Sequence, residues 1–116
     1  MNEYELNPHR FRELKHFCLQ YGFMKDELKR LRATDGYSEK RFDLTSSLAI
    51  REQELEHALK LIETTAHDTE DFLADKILKV VTEDVNIKGL TMPCSWDCME
   101  QLRRRYFWLL HKKKGV

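Results

Sequence analysis

The sequence predicts an all-α fold: an N-terminal long helical hairpin followed by a C-terminal helix-turn-helix. Three observations predict it. Apolar residues recur at steps of three and four in every long segment, and no stretch sustains the period of two that marks a strand. Charged residues make up 34% of the 116 residues, above the ~25% usual in globular chains. Only four Gly and two Pro interrupt them, too few for a turn-rich sandwich.

The first helix has a clear start. Asn7 is placed to cap free backbone N–H groups, and Pro8 falls at the first helical position, where its missing N–H costs nothing. Leu6 and Phe11 occupy the two positions of a hydrophobic staple. Leu14, Phe17, Tyr21, Met24, Leu28 and Leu31 then form an a/d stripe, with Gly22 a weak point inside it. The helix is expected to end near Arg32, and residues 34–43 read as a loop around the Thr34-Asp35-Gly36 turn. A second helix carries Leu44, Leu48, Leu55, Leu59 and Ile62 on its buried face, with Arg51 interrupting them. Glu52, Glu54, Glu56 and Lys60 fall outside, with Glu56 and Lys60 favourably spaced. Helices over 8–32 and 44–66, each about 35 Å long, predict an antiparallel hairpin; the same stripe would also serve a dimer. The hairpin region is assigned to residues 1–67, for packing or dimerisation.

Residues 68–116 are assigned to a helix-turn-helix region. His67, Asp68 and Thr69 have capping chemistry, so a helix is expected to begin there, with Phe72, Leu73, Ile77, Val80 and Val81 as its apolar face. A short segment over 84–92 leads to a break at Met92-Pro93-Cys94. Pro93 cannot continue a helix interior, and Ser95 is a good cap for the next helix, with Cys94 and Met99 in staple positions. On that last helix, about 96–113, Cys98, Met99, Leu102, Tyr106, Leu109 and Leu110 fall on one side at 100° per residue. Asp97, Gln101, Arg104, Arg105, Trp108 and Lys112 fall on the other. Arg103 lies beside the apolar stripe, its stem packing and its head reaching outward.

Zero net charge hides an uneven distribution. Residues 1–42 carry a net +2, residues 43–87 a net −7 and residues 88–116 a net +5. A basic end after an acidic middle raises nucleic-acid binding; a solvated tail is the plain alternative. In the binding case the last helix enters the major groove. Gln101 and Arg104 are suited to base edges, Arg103 replaces Arg104 if the helical phase drifts by one residue, Arg105, Lys112, Lys113 and Lys114 are suited to phosphates, and Trp96 to stacking against the backbone. The acidic middle must then point away from DNA.

The stretch from Gly89 to Lys114 resembles the C-terminal end of phage and prophage transcriptional regulators of the ArpU/RinA type. The resemblance is carried by Pro93-Cys94-Ser95, the run Arg103-Arg104-Arg105 and the close Tyr106-Phe107-Trp108-Leu109-Leu110, about the last third of the chain. Cys98 and Met99 depart from the pattern, where a threonine and an aromatic residue are usual. The resemblance implies a sigma-like helix-turn-helix, double-stranded DNA as partner, and contact with the transcription machinery. The alternative is an all-α phage structural or adaptor protein that binds protein partners only, its basic face covered by the acidic region.

Other functions find little footing. There is no Gly-rich phosphate loop, HExxH or Gly-x-Ser-x-Gly motif, so no enzyme is expected. Cys94 and Cys98 lack the close pairing and fourth ligand of a zinc site, so no metal or other cofactor is expected. No apolar run reaches the ~18 residues of a membrane span. The N-terminal residues do not pattern as a secretory signal, and three cysteines without a framework fit a reducing compartment; the sequence therefore predicts a cytoplasmic protein.

Overall fold

A computed structural model describes residues 4–33, 45–83 and 95–115. Among them are five α-helices and no strand: α1 (Pro8–Leu19), α2 (Tyr21–Ala33), α3 (Thr45–Thr69), α4 (Ala74–Glu83) and α5 (Trp96–Lys114), with a 3₁₀ turn, Asp71–Leu73, leading into α4. The all-α expectation holds. No helix of the described residues is long and apolar enough to cross a membrane.

The α1 start is as the sequence predicts. The Asn7 side chain accepts from the His9 N–H at 2.8 Å, and Pro8 is the first helical residue. Leu6 and Phe11 both pack on the core. The single helix expected over 8–32 is two helices, however. At Gln20 the N–H reaches back to the Phe17 carbonyl at 3.2 Å, a three-residue step that tightens the last turn of α1. The break lies two residues before Gly22. It lets one apolar stripe serve two cores. Leu14 and Cys18 enter the main core with α4 and α5, while Leu28 packs on Leu55 and Leu59 of α3; Tyr21 and Met24 touch both clusters.

The helical hairpin is therefore α2 on α3, and Leu14 and Phe17 lie outside it. Charges fix its antiparallel register. Arg32 is bonded to Glu52 and Glu56, and Arg51 to Glu27, with the Arg51 Nη2 to Glu27 Oε1 distance 3.0 Å. Arg51 interrupts the apolar stripe because its guanidinium reaches across to α2, and that hydrogen bond lowers the pKa of Glu27. Glu56 meets Arg32 across the hairpin. These pairs are exposed and contribute little each; Leu28, Leu55 and Leu59 supply the burial. Leu48 is half-buried and Ile50 exposed. Leu44 lies outside the described residues.

The third helix was expected to start at His67. Instead α3 runs on to Thr69. Thr65 and Thr69 are buried, and their hydroxyls donate to the carbonyls of Leu61 and Thr65, at 2.6 and 2.7 Å. The Thr69 hydroxyl is thus used inside the helix and caps nothing. The chain turns at Glu70, and His67 meets Asp71 at 2.7 Å across the corner. Leu73, Ile77, Val80 and Val81 are buried as predicted, but Phe72, in the 3₁₀ turn, is 85% exposed. The expected boundary at residue 67 lies within α3, and the main core takes residues from both sides of it: Leu14, Ile62 and Ala66 with Ile77, Met99, Tyr106 and Leu110. The expected 84–92 segment and the Met92-Pro93-Cys94 break lie outside the described residues.

Helix α5 starts where its cap predicts: the Ser95 hydroxyl accepts from the Cys98 N–H at 3.2 Å. It packs on α3, α4 and α1. Met99, Tyr106 and Leu110 are buried as expected, and Leu102 and Leu109 half-buried. One assignment is corrected: Cys98, expected on the apolar side, is exposed. Phe107, which the sequence places on neither side, is buried. The reason is α1: it covers a second side of α5, where Phe11 meets Phe107 edge-on with ring centroids 5.0 Å apart. The buried arc is therefore wider than one stripe.

The two described cysteines make this burial testable. Burial pushes the Cys18 thiol up to about 12, and thiolate is the reactive form. Alkylation of the native protein at neutral pH is expected to modify Cys98 and to spare Cys18 until denaturant is added. Equal rates at both cysteines by mass spectrometry would contradict the packing of α1.

Candidate nucleic-acid interface on helix α5

Packing on three helices leaves α5 one outward strip. Asp97, Gln101, Arg104, Arg105 and Lys112 are exposed along it, and Trp108 is half-buried at its edge. Steps of three, four and seven keep these residues on one side, as the sequence predicts. From Gln101 to Lys112 the strip runs about 17 Å. Met99, Tyr106 and Leu110, on the opposite side of the helix, anchor it in the core.

The residues expected to contact DNA divide into two groups. Gln101, Arg104, Arg105 and Lys112 lie on the strip. Arg103, Lys113 and Lys114 are held elsewhere. The Arg103 guanidinium lies over the rings of Phe11 and Phe107, 5.2 and 5.5 Å from their centroids, and 3.5 Å from Glu100. Lys113 is paired with Asp68 of α3 at 2.6 Å. The Lys114 ammonium sits 3.8 Å from the centroid of the Phe17 ring. Arg103 was expected to reach outward from a packed stem; its head is stacked as well. The side chain of Trp96 lies outside what is described.

The strip has its own internal constraints. Glu100 lies 3.8 Å from Arg104 and partly offsets its charge. Lys112 stands 4.9 Å above the Trp108 ring, and Tyr4 meets the same ring edge-on at 5.5 Å. Arg105 and Gln101 carry no ion pair or hydrogen bond among the described residues. Sequence reasoning missed the α1 side of this surface. Arg10 donates to His111 Nδ1 at 2.9 Å and to the Gly115 carbonyl at 2.7 Å, tying α1 to the end of α5. Gly115 has φ of +73°, a conformation that glycine adopts freely. The Glu100 contacts were legible, since residues three and four apart are neighbours on a helix surface; the Arg10 contacts, 101 and 105 residues apart, were not.

Among the described residues, the acidic region does not cover the strip. Glu52 and Glu56 of α3 are engaged by Arg32, and Glu54 by Arg51. Only Asp68 meets the basic end of α5 among the described residues, through Lys113. Among those residues no three His, Cys, Asp or Glu side chains gather as a metal site, and Cys94 lies outside them. Comparisons with family models, curated proteins and solved structures return no match.

Proposed function

We propose that the outer strip of α5 binds double-stranded DNA in the major groove, and that the protein is a transcriptional regulator of the phage and prophage kind its C-terminal sequence resembles. The exposed line Gln101, Arg104, Arg105 and Lys112 carries this reading. Gln101 and Arg104, one turn apart, offer amide and guanidinium groups to base edges. Arg105 and Lys112 offer charge to phosphates. A single helix makes few contacts, so a homodimer on two half-sites about one DNA turn apart is the natural form. Contact with the transcription machinery would follow from that role.

The protein-only adaptor is the second reading. One observation favours it: Lys113 is already paired with the acidic region. Arg104, Arg105 and Lys112, on the strip itself, have no partner from the acidic region among the described residues, and this tips the balance to DNA.

Single substitutions separate reading from holding. Arg105→Ala is expected to weaken binding to all duplexes alike and to flatten the salt dependence by roughly one unit of slope. Arg104→Ala is expected to relax preference at one base position by about 1–3 kcal/mol. Lys113→Ala and Lys114→Ala should do far less than Arg105→Ala, because both side chains are engaged within the protein. Fluorescence anisotropy across duplexes and salt concentrations checks all four. Equal losses for Arg105 and Lys114 would place the interface on another face.

A further inference from the structure

We propose that the cleft between α2 and α4 is the contact face of a homodimer, and that its occupant is the same face of a second copy of this chain. The inference names the surface by which the dimer considered above would form, and it does not require that DNA be bound. The cleft has a volume of about 660 Å³, with Leu19, Phe23 and Leu78 as its apolar lining. Phe23 stands beside the hollow, 73% exposed. At neighbouring Gly22 a Cβ would meet nothing within 4 Å, so the surface there is open.

The charges around the hollow decide the partner. A twofold contact uses one patch twice, so the patch must be complementary to itself. Lys25 and Asp26 line the cleft from α2, and Asp75, Lys79 and, at its far end, Glu83 line it from α4. None of these five is in an ion pair among the described residues; Lys25 lies 5.2 Å from the centroid of the Tyr21 ring on its own helix and stays free to turn to a carboxylate. Laying α2 of one copy on α4 of the other sets Lys25 against Asp75 and Asp26 against Lys79, and the symmetry repeats both pairs. Phe23 of each copy then enters the hollow of its partner. The result has an apolar aromatic centre and a charged rim, the usual anatomy of a protein interface. The α5 strip fails the same test, since Arg104, Arg105 and Lys112 would face their own copies. So does the groove between α2 and α3, which Lys25, Lys29, Arg32 and Lys60 line with only Glu56 and Glu63 against them.

Sedimentation equilibrium of the full chain, without DNA, from micromolar to near-millimolar concentration, tests the proposal. A monomer–dimer equilibrium is expected. Phe23→Asp should weaken it about tenfold or more with circular dichroism unchanged, since Phe23 supports no core. Lys79→Glu should weaken the dimer as well, and adding Asp26→Lys to it should restore association by swapping the pair. Were Phe23→Asp to lose helical signal, Phe23→Ser and Lys79→Glu would read the same contact. A wild-type chain that stays monomeric throughout overturns the proposal, as does a dimer indifferent to Phe23→Asp and Lys79→Glu. A monomer that still binds DNA would overturn this inference alone, and a dimer that binds none would overturn only the DNA reading.

Discussion

Tyr106→Ala is expected to cost about 3–5 kcal/mol, the range for removing a large buried aromatic side chain. Tyr106 is fully buried on α5 at the point where α1, α3 and α5 meet. Its ring meets Phe107 edge-on at 5.3 Å, its hydroxyl donates to the Ile62 carbonyl at 3.0 Å, and the Cys18 sulfur lies 3.6 Å from that hydroxyl. Burial raises the pKa of the phenol, so the hydroxyl stays a donor. With domain stabilities of about 5–15 kcal/mol, the truncation removes a large share of the total. Tyr106→Phe separates the two contributions, because it keeps the ring and loses the hydrogen bond, at about 1 kcal/mol. Urea melts of both variants check this. A Tyr106→Ala protein that melts with the wild type would mean that α5 is not the centre of the bundle.

Leu28→Ala is the second large effect, at about 2–5 kcal/mol. Leu28 is 6% exposed and forms a small cluster with Leu55 and Leu59, flanked by Tyr21, Met24 and Leu31. That cluster stands apart from the main core, so the loss is expected to be local as well as global. Amide hydrogen exchange should show protection falling in α2 and the first half of α3 while α5 keeps its own. Equal loss in α5 would contradict the separation of the two clusters, and an unchanged melting curve would contradict the hairpin itself.

These two sites also show what the sequence reveals and what it hides. Local chemistry was legible. Asn7-Pro8 and Ser95 announced helix starts because a cap involves only the next three residues. The outer strip of α5 was legible because helical phase alone sets it. The break at Gln20 was not, since nothing in its chemistry stops a helix. It follows from the destinations of the two halves, Leu14 toward α4 and α5 and Leu28 toward α3. The extension of α3 through His67 was hidden for a related reason. Thr69 looks like a cap, yet its hydroxyl turns back to the Thr65 carbonyl of its own helix. The burial of Phe107 is hidden because no periodicity shows that α1 covers α5 from a second direction. The candidate site was half legible: spacing placed Gln101, Arg104, Arg105 and Lys112, while the engagement of Lys113 by Asp68 and of Lys114 by Phe17 belongs to tertiary structure.

The most direct measurement is the affinity of the wild-type protein for duplex DNA from around its own gene, titrated by anisotropy at several salt concentrations. Binding through the α5 strip predicts association at low salt, and a logarithm of affinity that falls with the logarithm of salt with a slope of roughly −2 to −4 per chain. Arg105→Ala should lower that slope by about one. No binding at low salt, or binding that Arg105→Ala and Lys112→Ala leave unchanged, would contradict a DNA-reading role for α5.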